Sequence, residues 1–151
     1  MMTQDDTSED IFHLGIKALI RNDQGKILLL QVNPAKLKAD RGKYWDLPGG
    51  RVQEEQSISD TLKREVAEEI GVTDVRIVKE VGMVLSNIRI PLSEHKTVGL
   101  ILAVYECLLP SSTAIVLSDE HIAYEWFTTR AAAEVLAVKY PKHFCELVAN
   151  L

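Results

Sequence analysis

Apolar residues in FHLGIKALI (12–20) recur at every second place, at Leu14, Ile16, Ala18 and Ile20. That is the period of a strand with one face turned to a core. Asn22-Asp23-Gln24-Gly25 supplies turn chemistry, and KILLLQV (26–32) is an apolar run of strand length, so the pattern predicts a β-hairpin. A loop follows at 33–44, and WDLPGGRV (45–52) reads as short extended pieces around Pro48 and two glycines. From Ser57 the period changes. Ile58, Leu62, Val66 and Ile70 recur every fourth place and predict a helix with a buried stripe. Ser57 begins it, with Asp60 three residues on in place of the usual Glu of a capping box, and Gly71 closes it. Val75–Ser86, Thr97–Leu109 and Ala123–Thr128 read as strands, the first two joined by a loop around Pro91. Arg130–Lys139 reads as a helix broken by Pro141, and His143–Leu151 as a closing helix. With no internal repeat, this succession predicts one mixed α/β domain over 11–151, behind a disordered acidic tail at 1–10.

Composition narrows the function classes. The chain has 151 residues and 46% apolar content, enough for a core and too short for two ordinary domains. No apolar run is long enough to span a membrane, and MMTQDDTSED lacks the basic and apolar regions of a signal peptide. Two cysteines, Cys107 and Cys145, make neither a disulfide framework nor a zinc cluster and read as small buried hydrophobes, so a cytoplasmic setting is expected. The net charge of −5 is local: four acids lie in 1–10 and six in 53–69. The rest holds twelve acids and fifteen bases, with no broadly basic face for nucleic acid.

The acidic segment carries the candidate chemistry. On the predicted helix Glu65, Glu68 and Glu69 stand at i, i+3 and i+4, so three carboxylates leave one side of it. Like charges this close repel unless a cation joins them, and hard cations such as Mg²⁺ take carboxylate oxygens while keeping open positions. Arg64 is placed to orient Glu68 at i+4, and the Gly49-Gly50 pair permits a sharp turn that offers the Gly49 carbonyl to the same ion. Gly50, Arg51 and Arg41, the last in a loop that also holds Lys36, Lys38 and Lys43, are candidate phosphate contacts. His13, His95, His121 and His143 show no ligand spacing, and none is a catalytic candidate. Trp45 and Trp126 read as packing residues.

Residues 50–72 resemble the box of the Nudix (MutT-like) hydrolase superfamily, G-x5-E-x7-R-E-U-x-E-E-x-G-U with U a bulky aliphatic. Gly50, Arg64, Glu65, Val66, Glu68, Glu69, Gly71 and Val72 match it. Gln56 stands where the box has its first glutamate, and Gln53 where a further glutamate is common; Glu54 and Glu55 lie between. The resemblance implies an α/β/α sandwich around a central mixed sheet. It also implies Mg²⁺-dependent hydrolysis of a nucleoside diphosphate linked to another moiety, with Mn²⁺ able to substitute. SDEHIAYEWF (118–127) resembles the approach to the last strand of such proteins, which implies Glu120 as a further ligand or general base. The proline that marks ADP-ribose-cleaving members is absent, position 87 being Asn, and no tyrosine marks a dinucleoside-polyphosphate enzyme. The expected partner is a small nucleotide, such as a nucleoside triphosphate, with neither nucleic acid nor membrane and a homodimer left open. Gln56 keeps a second reading in view, a nucleotide-binding module of this fold with weak or no hydrolysis.

Overall fold

The computed structural model describes residues 8–36 and 44–151. Among them are eight strands, β1 (Phe12–Arg21), β2 (Ile27–Val32), β3 (Trp45–Asp46), β4 (Gly49–Arg51), β5 (Arg76–Leu85), β6 (Ile90–Ser93), β7 (Lys96–Leu108) and β8 (His121–Phe127). Three helices accompany them, α1 (Ile58–Ile70), α2 (Thr129–Leu136) and α3 (Lys142–Ala149). β1 and β2 pair only beside their turn, at Arg21↔Ile27. Beyond it they part: β1 runs parallel to β7 and antiparallel to β4, while β2 lies between β3 and β8. The hairpin is therefore the hinge of a mixed sheet with two wings.

Both sheet faces are covered. Leu62, Val66 and Ile70 of α1 pack with Ile16, Ala18, Ile20, Leu28 and Leu30 on one face. On the other, Leu19, Ile27, Leu29, Leu102 and Val104 meet Ala132, Leu136, Tyr140 and Phe144 from α2 and α3. This is the α/β/α sandwich with a mixed sheet that the sequence implied. Double coverage is why the central strands are apolar at consecutive positions rather than alternate ones.

Two inward assignments fail at the margins. Leu14 is 37% exposed and Ile58 is 41% exposed, the one near the start of β1 and the other in the first turn of α1, where the layers no longer overlap. The segment around Pro91 is not a plain loop: Ile90–Ser93 pairs antiparallel with β7. Helix α1 has the predicted ends, the Ser57 hydroxyl accepting from Asp60 N–H at 3.0 Å and Gly71 closing it at φ 71°. Cys107 and Cys145 are buried and unpaired, and burial pushes the Cys107 thiol up to about 12. Of the predicted tail, Asp10 is tied down, its carboxylate bound by Arg89 at 2.8 and 3.0 Å. Residues 1–7, and the loop positions Lys38, Arg41 and Lys43, lie outside the described residues. No helix among the described residues is long and apolar enough to cross a membrane.

Candidate active site

Two glycines bring helix α1 against strand β4. Gly49 sits at φ 149°, opposite Lys17 on β1, and a side chain there would strike the Ile16 carbonyl oxygen. Its free N–H reaches across to donate to Glu69 Oε1 at 2.7 Å. A Cβ on Gly50 would collide with the Glu65 carboxylate, which occupies that space. Glu65 and Glu69, one helical turn apart, thus converge on the Gly49-Gly50 backbone. Their crowding is visible in their acidity. Burial holds Glu69 up to about 8, with Glu65 and Asp46 adding repulsion that Lys17 and the Gly49 N–H only partly offset. Glu65 is also raised, by burial and by Glu68 and Glu120, against the opposing pull of Arg64 and Lys17.

Glu68 departs from the expected trio. Its side chain is 59% exposed and turns to Arg64 at 3.4 Å, at the rim rather than against β4. Arg64 acts as a hub. Its Nη1 also donates to Glu65 Oε1 at 3.0 Å, and its Nη2 to the Arg51 carbonyl at 3.5 Å. Its Nε donates to Gln56 Oε1 at 3.2 Å. The amide at position 56 therefore supplies the acceptor a glutamate would have supplied, without its charge. Glu54 and Glu55 are exposed in the turn closed by Gln56 N–H to Gln53 C=O, so the local substitute for the box glutamate is Gln56 itself.

The segment before β8 completes the cluster. Ser118 N–H donates to the Glu69 carbonyl at 3.3 Å, which brings Glu120 and His121 to the buried end of α1. Ligand atoms of Glu69, Glu120 and His121 all lie within 4.8 Å of one another. His121 Nε2 is 3.9 Å from Glu69 Oε2, its side chain is only 7% exposed, and its buried Nδ1 has no hydrogen-bond partner. Burial, helped by Lys17, pulls its pKa down to about 4, so the ring is neutral and able to act as a ligand or acceptor. Sequence reasoning passed over this histidine; the available signal was its place directly after Glu120.

Behind these groups lies a cleft of about 370 Å³ reached by Lys17, Lys36, Tyr44, Asp46, Glu69, Glu120 and His121. Lys36 is paired with Asp119 at 3.0 Å. The cleft's inner wall is a buried polar network that the sequence did not reveal. Asp46 Oδ2 accepts from Lys17 at 3.1 Å and from Lys139 at 2.6 Å, and its Oδ1 accepts from Tyr140 O–H and Leu47 N–H, both at 2.7 Å. Burial opposes ionisation of Asp46, yet the two lysines hold its carboxyl well below the ordinary range. Burial lowers Lys139 to about 8, and the Lys17 charge adds to the lowering. Asn87, at the position read for substrate class, serves as a brace: its Nδ2 donates to the carbonyls of Ala137 and Tyr140, at 3.1 and 3.0 Å. Trp45 meets Phe127 edge-on at 5.0 Å, a packing contact.

A mixed sheet carrying a glycine pair on β4, an arginine hub and converging carboxylates thus holds a group of side chains, Glu69, Glu120 and His121 among them, that could hold a metal ion. Comparison with known proteins gives the family. The NUDIX domain model matches residues 11–147, and the chain belongs to that family. It is 26% identical over 137 residues to a MutT-like protein of Streptomyces ambofaciens, covering 91% of this chain and 77% of the relative. Its fold matches the MutT protein of Methanosarcina mazei Go1 at a TM-score of 0.70 and 29% identity, over 95% of this chain and 94% of that one. The dihydroneopterin triphosphate pyrophosphohydrolase of E. coli shares the fold at a TM-score of 0.69 and 21% identity, over 94% of this chain and 100% of that one.

Proposed function

We propose that the protein is a Mg²⁺-dependent pyrophosphohydrolase that cleaves the diphosphate linkage of a small nucleoside diphosphate derivative, a nucleoside triphosphate being the favoured substrate. The observation that carries this is the convergence of Glu65 and Glu69 on the Gly49-Gly50 backbone, with Glu120 brought to the same end of α1. Glu65, Glu69 and the Gly49 carbonyl would hold the cation, Glu68 adding charge at the rim and Glu120 and His121 completing the donor set. When bound, the ion neutralises the diphosphate and polarises the scissile linkage. Arg64 fixes Glu65 in the orientation the site requires, a task its bond to Gln56 supports. Glu120 accepts the proton of the attacking water. A new P–O bond forms from that water as the bridging P–O bond breaks, giving a nucleoside monophosphate and the phosphorylated remainder. Gly50 and Arg51, with Arg41 in the basic loop, contact the phosphates.

The Asn87 position and the triphosphate substrate named for the E. coli neighbour both favour a triphosphate. The test is a panel of nucleoside triphosphates, dinucleoside polyphosphates and nucleoside diphosphate sugars with Mg²⁺ or Mn²⁺, phosphate release being measured after phosphatase coupling. Turnover of a triphosphate is expected. Nucleotide binding without turnover under any metal would instead establish a binding module.

A further inference from the structure

We propose that His13 is a positioning residue that holds the Arg51 guanidinium over a second cleft, on the Glu65 side of the site, where Arg51 binds the terminal phosphate of a nucleoside triphosphate. The inference rests on the hydrolase reading above and deepens it. In the β1–β4 pairing Arg51 stands opposite Gly15, and His13, two residues along β1, is its diagonal neighbour on the same face. Gly15 offers Arg51 no side chain to lean on. The guanidinium leans on His13 instead, with Nη1 at 3.0 Å from the imidazole Nδ1. Arginine only donates, so Nδ1 is the acceptor and the ring proton sits on Nε2.

The backbone beneath both partners is held, while the Arg51 side chain itself is exposed. The Phe12 ring lies on Gly99, where any Cβ would collide with it, and His13 is in parallel register with Leu100 of β7. The Arg51 carbonyl accepts from Arg64, the same fork that binds Glu65. The cleft beside them, about 550 Å³, is lined by Phe12, His13, Arg51, Val52, Gln53 and Glu65 among others. Among its described lining residues Arg51 is the cation and Glu65 the acid, so a phosphate chain leaving the carboxylates finds Arg51 next. A free surface arginine loses rotamer freedom on binding; one already fixed by an imidazole presents its fork to a phosphate with less to lose.

Steady-state kinetics test this on the full chain. His13→Ala should raise KM for the best nucleoside triphosphate about fivefold, the loss of one hydrogen bond's worth of positioning, with little change in kcat. Arg51→Ala should raise it about tenfold or more. The double variant should be no worse than Arg51→Ala alone, and His13→Asn, whose amide oxygen can accept from Arg51, should recover most of the loss. The matching nucleoside diphosphate, which lacks the terminal phosphate, should show no such effect. Additive losses in the double variant, an equal penalty on the diphosphate, or a loss of melting temperature in place of the KM change would overturn the assignment. Titration calorimetry with inorganic tripolyphosphate and Mg²⁺ gives a readout apart from turnover. If no nucleotide is hydrolysed yet both variants weaken tripolyphosphate binding, the hydrolase reading fails and the His13–Arg51 assignment stands. Unchanged tripolyphosphate binding in both variants would sink the assignment alone.

Discussion

Replacing Asp46 with asparagine keeps the shape of the side chain and removes the one carboxylate that two buried lysines share. The size of the effect follows from the lysines. Forcing a lysine to be neutral at pH 7 costs at most about 5 kcal/mol, the distance of its ordinary pKa from neutrality. Lys139 already sits at about 8, so most of its share is present in the wild type and only about 1 kcal/mol remains to be lost. Lys17 is different: burial opposes its charge, but Asp46 and Glu69 together raise its pKa, so it stands to lose nearly the whole amount. The amide oxygen retains part of the hydrogen bonding, which brings the expected loss to about 3–5 kcal/mol, the usual range for breaking a buried pair. For a domain of this length that lowers the melting temperature by roughly 10 °C.

The pH dependence supplies a second signature. A lysine whose folded pKa is depressed binds fewer protons folded than unfolded, so stability rises with pH between the two values. For Lys139 that window runs from about 8 to 10.5. Lys17, raised above 10.5, contributes stability that is lost only at higher pH. In Asp46→Asn both lysines are depressed, so the rise below pH 10 should be steeper than in the wild type. Denaturant melts at pH 7, 8, 9 and 10 measure both quantities. A variant within about 1 kcal/mol of wild type at pH 7, with the same slope, would refute the charge assignment, since a buried pair costs more than that to break. The swap Lys17→Met, Asp46→Leu, Lys139→Met, with Tyr140→Phe to remove the hydroxyl that Asp46 accepts, should restore part of the stability, because no member of the pair is then left charged and buried alone.

Glu65→Gln and Glu69→Gln should each lower turnover by about two orders of magnitude, roughly 3 kcal/mol of transition-state stabilisation, with Glu54→Gln as the unaffected control in the same assay. Thermal melts of either glutamine variant at pH 7 without metal should show stability held or slightly raised, since a carboxyl whose folded pKa is raised by burial costs the fold at neutral pH. Millimolar Mn²⁺ or Mg²⁺ should raise the wild-type melting temperature by mass action, an effect that calorimetry should find reduced in Glu69→Gln. Gly50→Ala should weaken Mn²⁺ binding and turnover together, because its methyl group displaces the Glu65 carboxylate; binding equal to wild type would show that Glu65 has room to move.

Helix α1 was legible from end to end because its caps and its period act locally, whereas the sharp turn expected of Gly49-Gly50 is instead a short strand against β1, its glycines needed for close approach to Ile16 and Glu65. What the one-dimensional pattern missed depends on contacts between distant segments. Lys17 looks like an ordinary outward residue of an alternating strand; only the arrival of Asp46 and of the α2–α3 corner, with Lys139 and Tyr140, makes it interior. His121 likewise carries no periodic signal, and its meaning comes from the Ser118 contact that folds the β8 approach onto the end of α1. Leu14 and Ile58 failed in the opposite sense. Their periods were right, but period says nothing about where the covering layer stops. Glu68 was placed on the correct side of the helix by spacing, while the Arg64 hub decides that its carboxylate stays at the rim.

The buried network and the carboxylate site form one electrostatic unit. Lys17 touches Asp46 directly and also favours the ionised form of Glu69, so the same ammonium serves the structural pair and the functional cluster. Two lysines against one aspartate leave an excess of positive charge in the sheet, beside Glu65 and Glu69, whose ionisation is opposed by burial first and by neighbouring carboxylates second. Lys17 offsets part of that opposition for both groups. It does not cancel it: Glu69 at about 8 is still far from an ordinary carboxylate, and a divalent cation would be the stronger partner. A carboxyl raised this way costs the fold at neutral pH, and a bound cation would offset that cost. Replacing Asp46 should therefore disturb more than folding, since a depressed Lys17 no longer offers Glu69 the ammonium that favours its ionised form, and the cluster then leans more heavily on any cation it binds.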